Sequence, residues 1–108
     1  MIHLTAHSQV LIAIQPADFR CGIDGLAALC KQRLSQDPRD HSLFVFINRN
    51  RTMVRVLSYD GSGFWLMTKR LSKGRFQHWP QHHQDNVTAI AAKQLKSLLA
   101  GQPNWQKV

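Results

Sequence analysis

Apolar residues along this chain fall into short runs separated by polar turns, and the spacing within each run predicts its element. Val10 to Ile14 is a compact apolar run stopped by Pro16, as a first strand would be. Asp18 to Gly22 reads as a turn. From Ile23 to Leu34 the apolar residues Ile23, Leu26, Ala27, Cys30 and Leu34 recur at helical spacing. Lys31, Gln32 and Arg33 fill the exposed side near the end, where positive charge suits the helix dipole. Gln36 to Asp40 breaks this helix. Ser42 to Ile47 then carries Leu43, Phe44, Val45, Phe46 and Ile47 without interruption, a β-branched and aromatic run that predicts a central strand covered on both faces.

The polar loop Asn48 to Thr52 leads into a strand over Met53 to Ser58, so these segments predict a hairpin. A second turn, Tyr59 to Gly63, contains an Asp-Gly step and introduces a strand over Phe64 to Leu71. After the turn at Ser72 to Gly74, Arg75 to Trp79 reads as a short edge strand ended by Pro80. Gln81 to Asn86 is a polar loop. Thr88 is placed to cap a last helix over Ala89 to Ala100, with Ala91, Leu95, Leu98 and Leu99 on one face and Gly101 as its C-terminal cap. The predicted order is β-α-β-β-β-(β)-α. This is one α+β domain over residues 1–108, with a mostly antiparallel sheet of four to five strands and two helices on one face.

Composition adds a sign to this outline. Fourteen Lys and Arg stand against six Asp and no Glu, for a net charge of +8. Such a field favours polyanions. No stretch reaches the roughly 18 apolar residues of a membrane span, and the N-terminus lacks a basic leader with a cleavage site, so a cytoplasmic protein without membrane contact is expected. Cys21 and Cys30 have neither zinc-site spacing nor the density of a disulfide scaffold, and are expected as free thiols.

Half of the basic residues lie between Arg49 and Arg75, where Asp60 is the one acid. Side chains alternate across a strand, so Val54 and Val56 are assigned to the core and Arg55 to the other side. In the next strand Phe64, Leu66 and Thr68 form the more apolar set, leaving Trp65, Met67 and Lys69 opposite. Arg55, Trp65 and Lys69 are therefore expected to share an open face, with Arg49, Arg51, Arg70, Lys73 and Arg75 at its margin. The cations would meet phosphates and Trp65 would stack on a base or sugar. Two other readings fit the same residues: cations that keep an antiparallel edge soluble, and an RNA-binding sheet. The aromatic residues Trp65, Phe76, Trp79 and Trp105 also fit a protein-interaction surface, although Phe76 reads as core.

Catalytic patterns are sparse. His78, His82 and His83 lie near Asp85, but adjacent histidines point apart and no zinc-motif spacing is present, so they read as loop residues. Phosphoryl chemistry needs several carboxylates to hold divalent ions. The six Asp fall mainly in turns and helix starts, and there is no Gly-rich phosphate loop. No catalytic residue, metal site or cofactor is assigned.

Four strings in order carry a family resemblance. They are Asp18-Phe19-Arg20-Cys21-Gly22-Ile23-Asp24-Gly25-Leu26; Leu43-Phe44-Val45-Phe46 with Asn48-Arg49-Asn50-Arg51; Val56 to Phe64; and Lys69 to Phe76 with Trp79-Pro80. Together they resemble the TnpB accessory proteins encoded by the second open reading frame of IS66-type bacterial insertion sequences, from about Val10 to Trp105. The chain has Ser58 where that family has an aromatic and Cys21 where it has Lys or Arg. The resemblance implies a non-catalytic accessory protein of transposition, beside a separate transposase that carries the catalytic carboxylates. DNA is the implied partner, with the transposase and further copies of the chain as additional ones. The alternative is an interaction or oligomerisation subunit without DNA contact.

Overall fold

The computed structural model describes residues 9–81 and 85–108. Five strands, β1 (Val10–Ala13), β2 (Leu43–Ile47), β3 (Met53–Tyr59), β4 (Phe64–Arg70) and β5 (Val87–Ile90), form one sheet in the order β4-β3-β2-β1-β5. β1 and β2 run parallel, joined through α1 (Ile23–Gln32), and the other neighbours are antiparallel. The chain closes with α2 (Ala92–Leu99) and a short 3-10 turn at Trp105–Lys107. The predicted α+β class and mostly antiparallel sheet are therefore present.

The two helices do not share a face, contrary to the sequence-based expectation. One layer contains Leu11, Ala13, Phe44, Phe46 and Leu57 with Leu26 and Cys30 from α1 and Leu34 two residues beyond it. The other contains Val10, Ile12, Val45, Ile47, Val54 and Val56 with Leu95 and Leu98 of α2, and with Phe76, Trp79 and Trp105. All five residues of β2 are buried. An apolar run without alternation requires cover on both sides, and one helix on each face supplies it.

Two further elements differ from expectation. Arg75 to Trp79 is not an edge strand: it crosses the α2 side of the sheet, burying Phe76 and Trp79. Trp79 Nε1 donates to the Ala13 carbonyl of β1 at 3.1 Å, and Trp105 Nε1 donates to the Gln77 carbonyl at 2.7 Å. The ring burial and the backbone acceptors together outweigh any strand preference here. Val87 to Ile90 forms β5 instead of opening the last helix, and Thr88 lies within that strand opposite Ile12. The helix starts after Ala91, whose N–H is accepted by Gln94 Oε1 at 2.8 Å. The open edge of β1 offers a full ladder to the β-branched Val87, Thr88 and Ile90, which favours pairing over helix.

Cys21 and Cys30 are free thiols, and burial pushes the Cys30 thiol up to about 12. Among the described residues, no helix is long and apolar enough to cross a membrane.

The Trp79 anchor yields a stability expectation. Trp79→Phe retains most of the ring but leaves the Ala13 carbonyl without its donor, and should cost about 1–3 kcal/mol. A lower urea midpoint with an unchanged m-value is the expected result.

Candidate nucleic-acid interface

Strand register decides where the basic residues go. Arg55 on β3 pairs with Phe46 on one side and Thr68 on the other, so it points toward α1. Trp65, Met67 and Lys69 pair with Ser58, Val56 and Val54 and point to the α2 side. The expected shared face of Arg55, Trp65 and Lys69 is thus corrected. Val54, Val56, Phe64 and Leu66 face inward as assigned, but those of β3 and those of β4 belong to opposite layers. Leu57, assigned to the open side with Arg55, is buried in the α1 layer, and Thr68, grouped with the inward set, is exposed.

Arg55 is committed to the fold. Its Nη1 donates to the Phe19 carbonyl at 2.8 Å and the Cys21 carbonyl at 3.1 Å, and its Nε donates to Thr68 Oγ1 at 3.1 Å. The guanidinium also lies 4.8 Å from the centre of the Phe19 ring. These contacts tie the loop before α1 to the sheet. Gly25 allows that loop to close, since a Cβ there would lie 2.8 Å from Cys21 Cβ.

Five other cations gather at one end of the sheet. Arg49 and Arg51 occupy the β2–β3 hairpin, Arg70 ends β4, and Lys73 and Arg75 follow it. Leu71 N–H donates to the Thr52 carbonyl at 3.1 Å and Phe76 N–H donates to the Arg51 carbonyl at 2.8 Å, which joins the hairpin to the segment after β4. Asn48 Oδ1 accepts from the N–H groups of Thr52 and Met53 and closes the hairpin. Arg51 adopts φ +62, a left-handed conformation more usual for Gly or Asn. A long cation is therefore held at a turn position where a small residue would be less strained. Among the described residues, the recorded ion pair is Arg20 with Asp18, and none of these five cations takes part in it. Lys69 lies one residue before Arg70, on the opposite face of β4.

Trp65 is exposed, whereas Phe76, Trp79 and Trp105 are buried, so only the first of the four aromatics is offered to a partner. Trp65 Nε1 donates to Asp60 Oδ2 at 2.9 Å. Asp60 Oδ1 accepts from the N–H of Ser62, the Ser62 hydroxyl and the N–H of Gly63. These bonds, the Ser62 N–H foremost and then the Trp65 indole, hold the Asp60 carboxyl well below the usual range. Asp60 is a turn residue, as its Asp-Gly step suggested.

Of the three histidines considered as metal ligands, His82 and His83 lie outside the described residues. His78 is exposed, and its carbonyl accepts from Gln106 Nε2. Among the described residues no three His, Cys, Asp or Glu side chains gather into a metal-binding arrangement.

Comparison with known proteins places this geometry in context. The family described as IS66 Orf2 like protein matches residues 8–108. The chain belongs to the IS66 Orf2-like family. Two proteins of Sinorhizobium fredii are similar over most of their lengths. The uncharacterized protein y4hO is 41% identical over 93 residues, covering 86% of this chain and 79% of its own. The uncharacterized protein y4jC is 35% identical over 100 residues, covering 93% of this chain and 83% of its own. No solved structure matches the chain. This IS66 Orf2-like protein is thus an insertion-sequence protein of the accessory kind.

Two expectations follow for the site. Arg55→Met leaves the Phe19 and Cys21 carbonyls without their charged donor and should cost about 1.5–3 kcal/mol, read as a lower melting temperature. Asp60 and Asp18 supply an acid signature. The bonds and charge of Arg20 hold Asp18 at about 2. Both acids have lowered folded-state values, so the stability they contribute is complete above the unfolded-chain value of about 3.9. It declines as pH falls toward about 2 for Asp18, and at still lower pH for Asp60. Melting temperatures of Asp60→Asn and the parent protein should therefore differ at neutral pH and converge in strong acid.

Proposed function

We propose that this protein is a non-catalytic DNA-binding subunit of IS66-type transposition, which holds DNA while a separate transposase carries out strand chemistry. The observation that carries the reading is the cluster of Arg49, Arg51, Arg70, Lys73 and Arg75 on two joined turns at one end of the sheet. Cations on adjoining turns form a compact positive edge that can follow a phosphate backbone. Guanidinium groups suit phosphate oxygens by their paired N–H geometry.

Phosphate contacts of this kind give affinity and orientation without sequence choice. The proposed role is accordingly to add backbone affinity to a complex whose sequence recognition lies elsewhere. Arg55 has no part in it. Lys69 lies beside the cluster, on the α2 side of β4, and is a secondary contact, whereas Trp65 lies at the other end of β4 beside Asp60 and has no part in the cluster. The cytoplasm, where the DNA is, is the compartment this reading requires, and the transposase of the same element is the protein partner it names.

Fluorescence anisotropy with a labelled duplex over a salt series tests the proposal. If all five clustered cations reach phosphates, log affinity should fall against log salt with a slope of about −4 to −5. Lys73→Ala should reduce the magnitude of that slope by about 1 and weaken all sequences alike. Combined Arg51→Ala, Arg70→Ala and Arg75→Ala should abolish most binding. Affinity that is absent in the parent protein, or that ignores salt, contradicts the proposal; stronger competition by RNA of equal length would assign the cluster to RNA.

A further inference from the structure

β4 is the outer strand of the sheet on the side away from β5, and it carries two of the large exposed hydrophobic residues, Trp65 at 44% and Met67 at 39%. Its backbone phase is fixed by two hydrogen bonds. Leu71 N–H donates to the Thr52 carbonyl, and Asp60 N–H donates to the Gly63 carbonyl. In an antiparallel ladder the hydrogen-bonded pairs alternate. With the observed register, Trp65, Met67 and Lys69 turn their backbone polar groups toward β3. Phe64, Leu66, Thr68 and Arg70 turn theirs outward, where the ladder ends.

One antiparallel alignment of two such strands engages every outward group. It is centred on Met67, and it sets Phe64 against Arg70, and Leu66 against Thr68, of a second copy. Each of these pairs exchanges backbone hydrogen bonds. Between them, in the positions where facing side chains come closest, Trp65 meets Lys69 of the second copy and the two Met67 residues meet on the axis.

The side chains match this reversal. The first half of β4, Phe64-Trp65-Leu66-Met67, is apolar, and the second half, Thr68-Lys69-Arg70, is polar and cationic. Antiparallel pairing brings apolar half to cationic half. Lys69 stands across from an indole face, a cation–π arrangement, and no two like charges face each other. The turn that holds Asp60 comes beside the basic end of the other copy, so opposite charges approach at both margins.

We propose that β4 is the interface of a symmetric dimer, in which two five-stranded sheets join edge to edge in the register centred on Met67. The occupant is a second copy of this chain, because the apolar-then-cationic order of the strand is complementary to itself. The dimer leaves Arg49, Arg51, Lys73 and Arg75 of each copy outside the interface and sets the two basic ends at opposite ends of the joined sheet. It also rests on observations separate from the DNA reading, so either can fail alone.

Light-scattering mass of the full chain, measured over a roughly hundredfold range of protein concentration, tests the dimer, since its fraction follows mass action. The expected mass approaches twice the 12.4 kDa of one chain. Thr68→Pro removes an outward N–H at a position an edge strand tolerates, and Met67→Lys puts two cations on the axis. Each should return the mass to that of one chain. Met67→Lys, at an exposed position, carries the test should the proline variant fail to fold. In a Cys21→Ala background, Met67→Cys should form an intermolecular disulfide faster than Thr68→Cys. A monomer at every concentration overturns the proposal, as does a dimer that survives both interface variants or cross-links better through position 68. A chain that stays monomeric alone and engages β4 only with DNA or another protein overturns it equally.

Discussion

β2 is buried on both faces, and the arrangement of the rest of the molecule depends on that burial. A strand of five consecutive apolar side chains cannot present one face to water without a large loss of hydrophobic free energy. Both sides of the sheet must be covered, and among the described residues two helices do it. α1 covers one side through the β1–β2 crossover. The other side is covered by α2 together with the Phe76 to Trp79 segment and Trp105. Coverage thins toward β4, most of whose residues are exposed.

From this constraint comes the division of labour among the cations. A positive residue on the middle strands lies beneath a layer and must find acceptors there. Arg55 does so, by taking the carbonyls of Phe19 and Cys21. Cations on the turns and at the end of β4 escape the layers and keep their charge at the surface. Arg49, Arg51, Arg70, Lys73 and Arg75 therefore differ from Arg55 in position rather than in chemistry. The strain accepted at Arg51 is consistent with a charge whose place on the surface matters more than the comfort of its turn.

Much of this was legible in the sequence. The uninterrupted Leu43 to Ile47 run marked a doubly covered strand, the Ile23 to Leu34 spacing marked α1, and the turns at Asn48 and Asp60 marked the meander. The run over Leu43 to Ile47 also implied cover on both sides, which is inconsistent with both helices lying on one face. Parity within β3 and within β4 was readable too. The register between them was not, because it is set by hydrogen bonds at both ends of the hairpin and not by the alternation of either strand. In a doubly covered sheet there is no single core side, so Val56 and Leu66 can both face inward while pointing to opposite layers. β5 was hidden because Val87 to Ile90 is too short for its period to be separated from that of the helix after it. Its partner, the free edge of β1, exists only in the folded chain.

The central claim is that DNA is held at the turn-borne basic end and not on the strand face that contains Arg55. Backbone amide shifts recorded by NMR during titration with a short duplex test it most directly. The account predicts shifts concentrated in Asn48 to Thr52 and Leu71 to Arg75, with Phe19, Cys21 and Arg55 unmoved. Shifts centred on Arg55, the Asp18 to Cys21 turn and α1, with Leu71 to Arg75 unchanged, would contradict it.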